Sequence, residues 1–192
     1  MPIIDLRCRE SDNFSINCCK NDNEERLLLG QNDSCNESIY LYFDLPLFLN
    51  RNLVQSSKLI LYKLPMCCKY QNTKYNQYNV CPLLDFYSPF VGCFYPPRPD
   101  CTYKGSFEDN IHLGYSEIDV TSMVKAWLQG SLENKGLQIS GDELSPLIVY
   151  ASDKNTNLKI HPILRIIVSD SIEFRTLTEI PCKVNIGSNS WL

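Results

Sequence analysis

The apolar runs of this chain are short, and proline or glycine ends several of them. Leu27-Leu28-Leu29 runs into Gly30. Ser38-Ile39-Tyr40-Leu41-Tyr42-Phe43-Asp44-Leu45 stops at Pro46, and Ser57-Lys58-Leu59-Ile60-Leu61-Tyr62-Lys63-Leu64 stops at Pro65. Aromatic and β-branched residues fit a pleated surface, and proline cannot donate to a ladder, so these segments predict strands. Further strands are expected at residues 116–120, 136–140, 146–151 and 163–168. One helix is predicted, over Thr121–Gln129. Thr121 can cap it, Val120, Val124 and Trp127 recur at i, i+4 and i+7, and Gly130 ends it. Many short strands with one brief helix predict an all-β fold, a jelly roll or β-sandwich. Val120, Val124 and Trp127 would then form a plug at one open end.

The chain has 192 residues, which suits one domain with extensions and a sizeable core. Composition divides it into a polar cysteine-bearing arm (1–26), a sandwich (27–168) and a tail (169–192). The sandwich is interrupted at 66–110 by a Cys- and Tyr-rich insertion containing Pro96-Pro97-Arg98-Pro99. Such a segment breaks regular strands repeatedly. It reads as a long loop pinned by sulfur and aromatic contacts. The formal charge is −4, and the 18 lysines and arginines are dispersed, so nucleic acid is not an expected partner. No window approaches the roughly 18 apolar residues of a membrane span. The run Met1-Pro2-Ile3-Ile4-Asp5-Leu6-Arg7-Cys8 lacks the basic head, apolar stretch and cleavage site of a signal peptide.

Several segments resemble the DNRLRE family of β-sandwich modules, which is similar to carbohydrate-binding modules found beside alginate lyases. They are Tyr40-Leu41-Tyr42-Phe43-Asp44-Leu45-Pro46, Lys58-Leu59-Ile60-Leu61-Tyr62, and Ile118-Asp119-Val120-Thr121-Ser122-Met123-Val124-Lys125-Ala126-Trp127. Asn134-Lys135-Gly136-Leu137-Gln138-Ile139, Ala151-Ser152-Asp153 and His161-Pro162-Ile163-Leu164-Arg165-Ile166-Ile167-Val168 follow in the family's order. The sequence departs from that family between Met66 and Asn110, where the Cys- and Tyr-rich segment replaces a Trp-containing strand pair. A ligand site that the family builds there does not transfer.

Ten cysteines remain to be explained. There is no Cys-x2-Cys pair and there are two histidines, His112 and His161, so no structural metal site is expected. No base adjoins a recognisable nucleophile, no Gly-rich phosphate loop is visible, and Glu24-Glu25 and Asp142-Glu143 lie in polar loops. No catalytic residue, cofactor or enzymatic activity is therefore expected. Disulfides are the favoured use of all ten. Cys8, Cys18, Cys19 and Cys35 lie toward the N-terminus, Cys67, Cys68, Cys81, Cys93 and Cys101 in the insertion, and Cys182 in the tail. Five and one are odd, and an extended vicinal pair sends its two side chains to opposite faces. Either Cys182 returns to the insertion or some bonds join chains. Both arrangements stay open.

These features carry two functional expectations. The first is a self-assembling subunit of a disulfide-cross-linked extracellular coat or fibre, resembling bacterial spore-coat and spore-appendage proteins. Its partner is another copy of itself, and its location is extracellular or on a spore surface. The second is a carbohydrate-binding module, with Tyr75, Tyr78, Tyr87, Tyr95 and Arg98 contacting glycans.

Overall fold

The computed structural model describes residues 1–15, 24–32, 35–65, 77–87, 96–110, 112–142 and 144–169. Among these residues eleven strands form two antiparallel sheets. They are β1 (Ile3–Arg7), β2 (Glu10–Ser15), β3 (Arg26–Asn32), β4 (Cys35–Tyr42), β5 (Val54–Tyr62), β6 (Gln77–Pro82), β7 (Gly105–Glu108), β8 (Tyr115–Asp119), β9 (Leu137–Gly141), β10 (Ile148–Ala151) and β11 (Ile163–Val168). One sheet runs β1-β11-β5-β8. The other runs β10-β3-β4-β9-β6-β7, with β2 also paired to β4. The all-β sandwich expected from the sequence is the fold.

The core between the sheets follows the strand period of two. Ile39 and Leu41 of β4, Tyr78 and Val80 of β6, and Leu137 and Ile139 of β9 face it from one side. Leu59 and Leu61 of β5 and Leu164, Ile166 and Val168 of β11 face it from the other. The helix α1 (Thr121–Gln129) packs into the same core through Val120, Met123, Val124 and Trp127. Gly130 ends it in the left-handed conformation (φ 74°). Thr121 does not cap it. Val120 holds the cap position and makes no side-chain cap bond. The β5–β8 ladder stops at Lys58 and Asp119, which leaves the Ser57 N–H without a strand partner there. Thr121 Oγ1 accepts that N–H at 2.8 Å.

Two sequence boundaries move. Residues 1–15 are not a detached arm, because β1 pairs with β11 and β2 with β4. Ile4 and Leu6 of β1 pack on the core. The polar run Glu10-Ser11-Asp12-Asn13-Phe14-Ser15 makes a strand because its inward polar groups find partners. Asn13 Nδ2 donates to Leu28 O at 2.7 Å, and Asn13 Oδ1 accepts the Leu28 N–H at 3.0 Å. That side chain bonds β3 as a backbone amide would. Ser11 donates from Oγ (2.5 Å) and N–H (3.1 Å) to Asp153 Oδ1. The insertion likewise contributes β6 and β7 to the larger sheet.

Asp109 is buried beyond β7. Its carboxylate lies 2.6 Å from Lys63 Nζ and accepts from Ser116 Oγ at 2.7 Å. Ser116 Oγ is in turn 2.8 Å from Tyr150 OH. No helix among the described residues is long and apolar enough to cross a membrane.

Replacing Asn13 by Ala leaves a buried N–H and a buried carbonyl of Leu28 unpaired. The expected cost is about 2–4 kcal/mol of unfolding free energy, read from urea denaturation. A loss under 0.5 kcal/mol contradicts this role for Asn13.

Candidate functional site

The second face of the larger sheet points away from the sandwich core. Alternation and register place its side chains in two rows. Asn79, Ser140, Ser38 and Phe14 are successive cross-strand neighbours, as are Cys81, Gln138, Tyr40 and Asp12. This face is covered. Leu83 pairs with Pro99 in an antiparallel bridge, so the stretches 83–87 and 96–100 form a flap. Leu83, fully buried, packs with Phe14 and Tyr40 in a separate small cluster. Tyr87 stacks on Tyr40 with centroids 4.5 Å apart, and its hydroxyl donates to Asp12 Oδ2 at 3.0 Å. Burial raises the Tyr40 phenol well above its ordinary pKa.

Beside that cluster the flap roofs a cavity of about 380 Å³. Asn36 and Ser38 of β4 and Gln138 and Ser140 of β9 form its floor. Phe14 makes one wall, and Pro96 to Pro99 make the roof. The volume is that of a small-ligand pocket. Asn36 Oδ1 and Gln138 Oε1 are buried and have no hydrogen-bond partner among the described residues. Such acceptors call for donors, because burying them unpaired is costly. Apolar proline and phenylalanine surface faces the same space. The described lining holds no carboxylate, imidazole or thiol. The polar groups of the described lining are amides, hydroxyls and the Arg98 guanidinium.

Compared with known proteins, the chain matches no model of a protein family and no curated sequence.

The structure separates the residues singled out in the sequence. Tyr78 is not a glycan contact. It is fully buried in the sandwich core, stacks against Phe107 at 5.4 Å, and donates to Pro146 O at 2.5 Å. Its place in β6 gives it the inward parity of Val80. Tyr87 is spent on Tyr40 and Asp12. Arg98 does line the cavity, but its guanidinium is engaged by Asp85 through bonds of 2.7 and 2.9 Å. Tyr75 and Tyr95 lie outside the described residues. Phe14, Asn36, Ser38, Gln138 and Ser140 were missed. For Ser38, Gln138 and Ser140 the signal was present as alternate polar positions inside strands read only for their apolar members, whereas Phe14 and Asn36 lay outside the strands that were read.

The cysteines also divide. Cys35 is disulfide-bonded. Cys8, Cys81 and Cys101 are free thiols. Cys8, Cys81 and Cys101 therefore depart from the expectation that every cysteine is a cross-link, Cys8 most plainly. It is buried in the core, and its Sγ donates to Glu10 O at 3.0 Å. Burial raises its pKa strongly, which suppresses the reactive thiolate. Cys18, Cys19, Cys67, Cys68, Cys93 and Cys182 lie outside the described residues. His161 is buried and its Nε2 lies 2.7 Å from Asn155 O, which fits a structural role. Among the described residues, no three His, Cys, Asp or Glu side chains are grouped to hold a metal.

Asp85 gives a pH test of the flap. The Arg98 side chain, and then the Arg98 N–H, hold its carboxyl down at about 2. Stability from this depressed group is present above the unfolded value of about 3.9 and is lost as pH falls through about 2. Arg98→Ala removes the guanidinium but keeps the backbone N–H, so the Asp85 pKa should rise from about 2 part of the way toward about 3.9, followed by carboxyl NMR titration. An unchanged titration contradicts the pairing.

Proposed function

We propose that the chain is a non-enzymatic structural subunit of an extracellular coat or fibre, assembled from copies of itself and reinforced by disulfides between cysteines outside the sandwich core. One observation carries this reading. Among the described cysteines only Cys8 belongs to the core, which closes through aliphatic and aromatic side chains. Cys35, Cys81 and Cys101 lie outside that core, so sulfur is surplus to what the fold needs. The resemblance to DNRLRE modules and to spore-coat and appendage proteins agrees with a module of this kind at a spore surface.

The test is the state of the purified chain with and without reductant. Disulfide-linked multimers that collapse to monomer on reduction, with filaments or lattices by negative-stain microscopy before it, are the expected result. A chain that stays monomeric in both states, with every disulfide internal, overturns the reading.

The cavity favours a second reading, a glycan-binding module. Sugar hydroxyls supply the donors that Asn36 Oδ1 and Gln138 Oε1 call for, and the apolar walls suit a sugar's C–H face. A glycan array should then give saturable binding. Gln138→Ala and Asn36→Ala should each weaken it by roughly tenfold, the worth of one good hydrogen bond. Binding that both variants leave unchanged excludes the cavity as the site.

A further inference from the structure

The flap returns to the sheet at two cysteines. Leu83 faces Pro99 in an antiparallel bridge. Leu84 N–H donates to Arg98 O, and Asp100 N–H donates to Pro82 O, each at 2.8 Å. These bonds mark 84/98 and 82/100 as hydrogen-bonded pairs. Leu83 and Pro99 between them are a non-hydrogen-bonded pair, and Cys81 and Cys101 are the next residues beyond the Asp100–Pro82 bond, Cys101 opening the 3-10 turn Cys101–Tyr103. At non-hydrogen-bonded pairs the Cα atoms come to about 4.5 Å and the side chains draw together. Cys81 and Cys101, each one residue on from the bonded Pro82 and Asp100, are brought near each other by the same bonds, and a disulfide requires a Cα separation of about 4.4–6.8 Å. Parity agrees, because Cys81 shares the outward face of β6 with the flap residue Leu83, opposite the core residues Tyr78 and Val80. Cys81 is buried, whereas Cys101 is exposed.

We propose that Cys81 and Cys101 form a redox pair, and that its oxidation to an intrachain disulfide clips the flap to the larger sheet at its base. The co-reactant is a small-molecule disulfide. The exposed Cys101 thiolate attacks one sulfur of that disulfide and releases the other as a thiolate. A mixed disulfide is left on Cys101. Cys81 then attacks Cys101 Sγ and releases the second small thiolate. One S–S bond of the oxidant is reduced to two thiols, which take up the two protons, and one S–S bond forms in the protein. The order follows from access. Burial, together with the neighbouring Cys101, pushes the Cys81 thiol up to about 11, so Cys81 serves as the resolving partner rather than the first nucleophile. The clip spans the two flap stretches, including Pro96 to Pro99 above the cavity. It does not depend on the assembly reading, since it forms within one chain.

The full chain, reduced and then equilibrated with oxidised glutathione, supplies the test. Free thiols are alkylated, and the protein is cut after Lys74 and before Asp85 and Asp100, which leaves Cys81 on a peptide with no other cysteine and separates both cysteines from Cys93. The expected product is one disulfide joining the peptide of Cys81 to the peptide of Cys101, in monomer as in any multimer. Its formation should raise Tm by roughly 5–10 °C over the alkylated form, given the length of loop closed. Cys101→Ser, a change at an exposed position, should keep the fold and abolish that rise. Three results overturn the proposal: Cys81 that alkylates freely in the oxidised protein, glutathione that stays on Cys101, or Cys101 bonded to a different cysteine or another chain.

Discussion

Strand β4 carries both faces of the molecule. A strand has a period of two, so a single register commits alternate residues to opposite sides. Ile39 and Leu41 enter the sandwich core, while Asn36, Ser38 and Tyr40 line the face beneath the flap. β2 and β3 share one edge of β4, and β9 takes the other. A slip of one residue would put Ser38 and Tyr40 into the sandwich and Ile39 and Leu41 beneath the flap. The position of Gly136 depends on the same strand. Its φ is +98°, and a Cβ there would lie 2.5 Å from Tyr40 Cε2. Only glycine lets the turn into β9 approach β4 so closely.

Polar side chains hold the junctions where strands diverge. Asn13 joins β2 to β3 after both have used the same neighbour. Ser152 and Asp153, beyond β10, reach back to Glu24 and Ser11. Lys63, Asp109, Ser116 and Tyr150 connect the ends of four strands from both sheets. Such networks add less to net stability than to a unique arrangement, because breaking any member leaves another buried and unpaired; here Asp109 Oδ2 is buried without a hydrogen-bond partner among the described residues. The surface pair of Arg165 with Asp5 is exposed and adds little beyond alignment of β1 on β11.

Much of this architecture was legible. Thr121–Gln129 and Ile163–Val168 fall at the bounds their sequence patterns indicate. Strands near Leu27, Ile39, Leu59, Ile118, Leu137 and Ile148 were also read, since each has aliphatic residues facing a core. What escaped was strand content with a polar or irregular signature. β2 looked like an arm because its partners, Leu28 and Asp153, are distant in sequence. β6 and β7 were hidden by the cysteines and prolines around them. The cavity was the least legible feature. It arises only when β4 and β9 pair in one register and a flap from elsewhere closes over them. Tyr78 shows the converse error, in which an aromatic in a polar context was taken as exposed although its neighbour Val80 shared its parity.

The antiparallel pairing of β1 with β11 also sets an order of events in time. Asp5 and Arg165, which meet across that ladder, are 160 residues apart. At a synthesis rate of about 5–20 residues per second, β1 waits roughly 8–30 s on the ribosome before its partner exists. β2, β3 and β4 find one another early, so the larger sheet can begin while the smaller one has no β11 to join β1 to β5. Closure of the sandwich is thus a late step that depends on nearly all of the described chain. Until then Ile4 and Leu6 have no β11 against which to align.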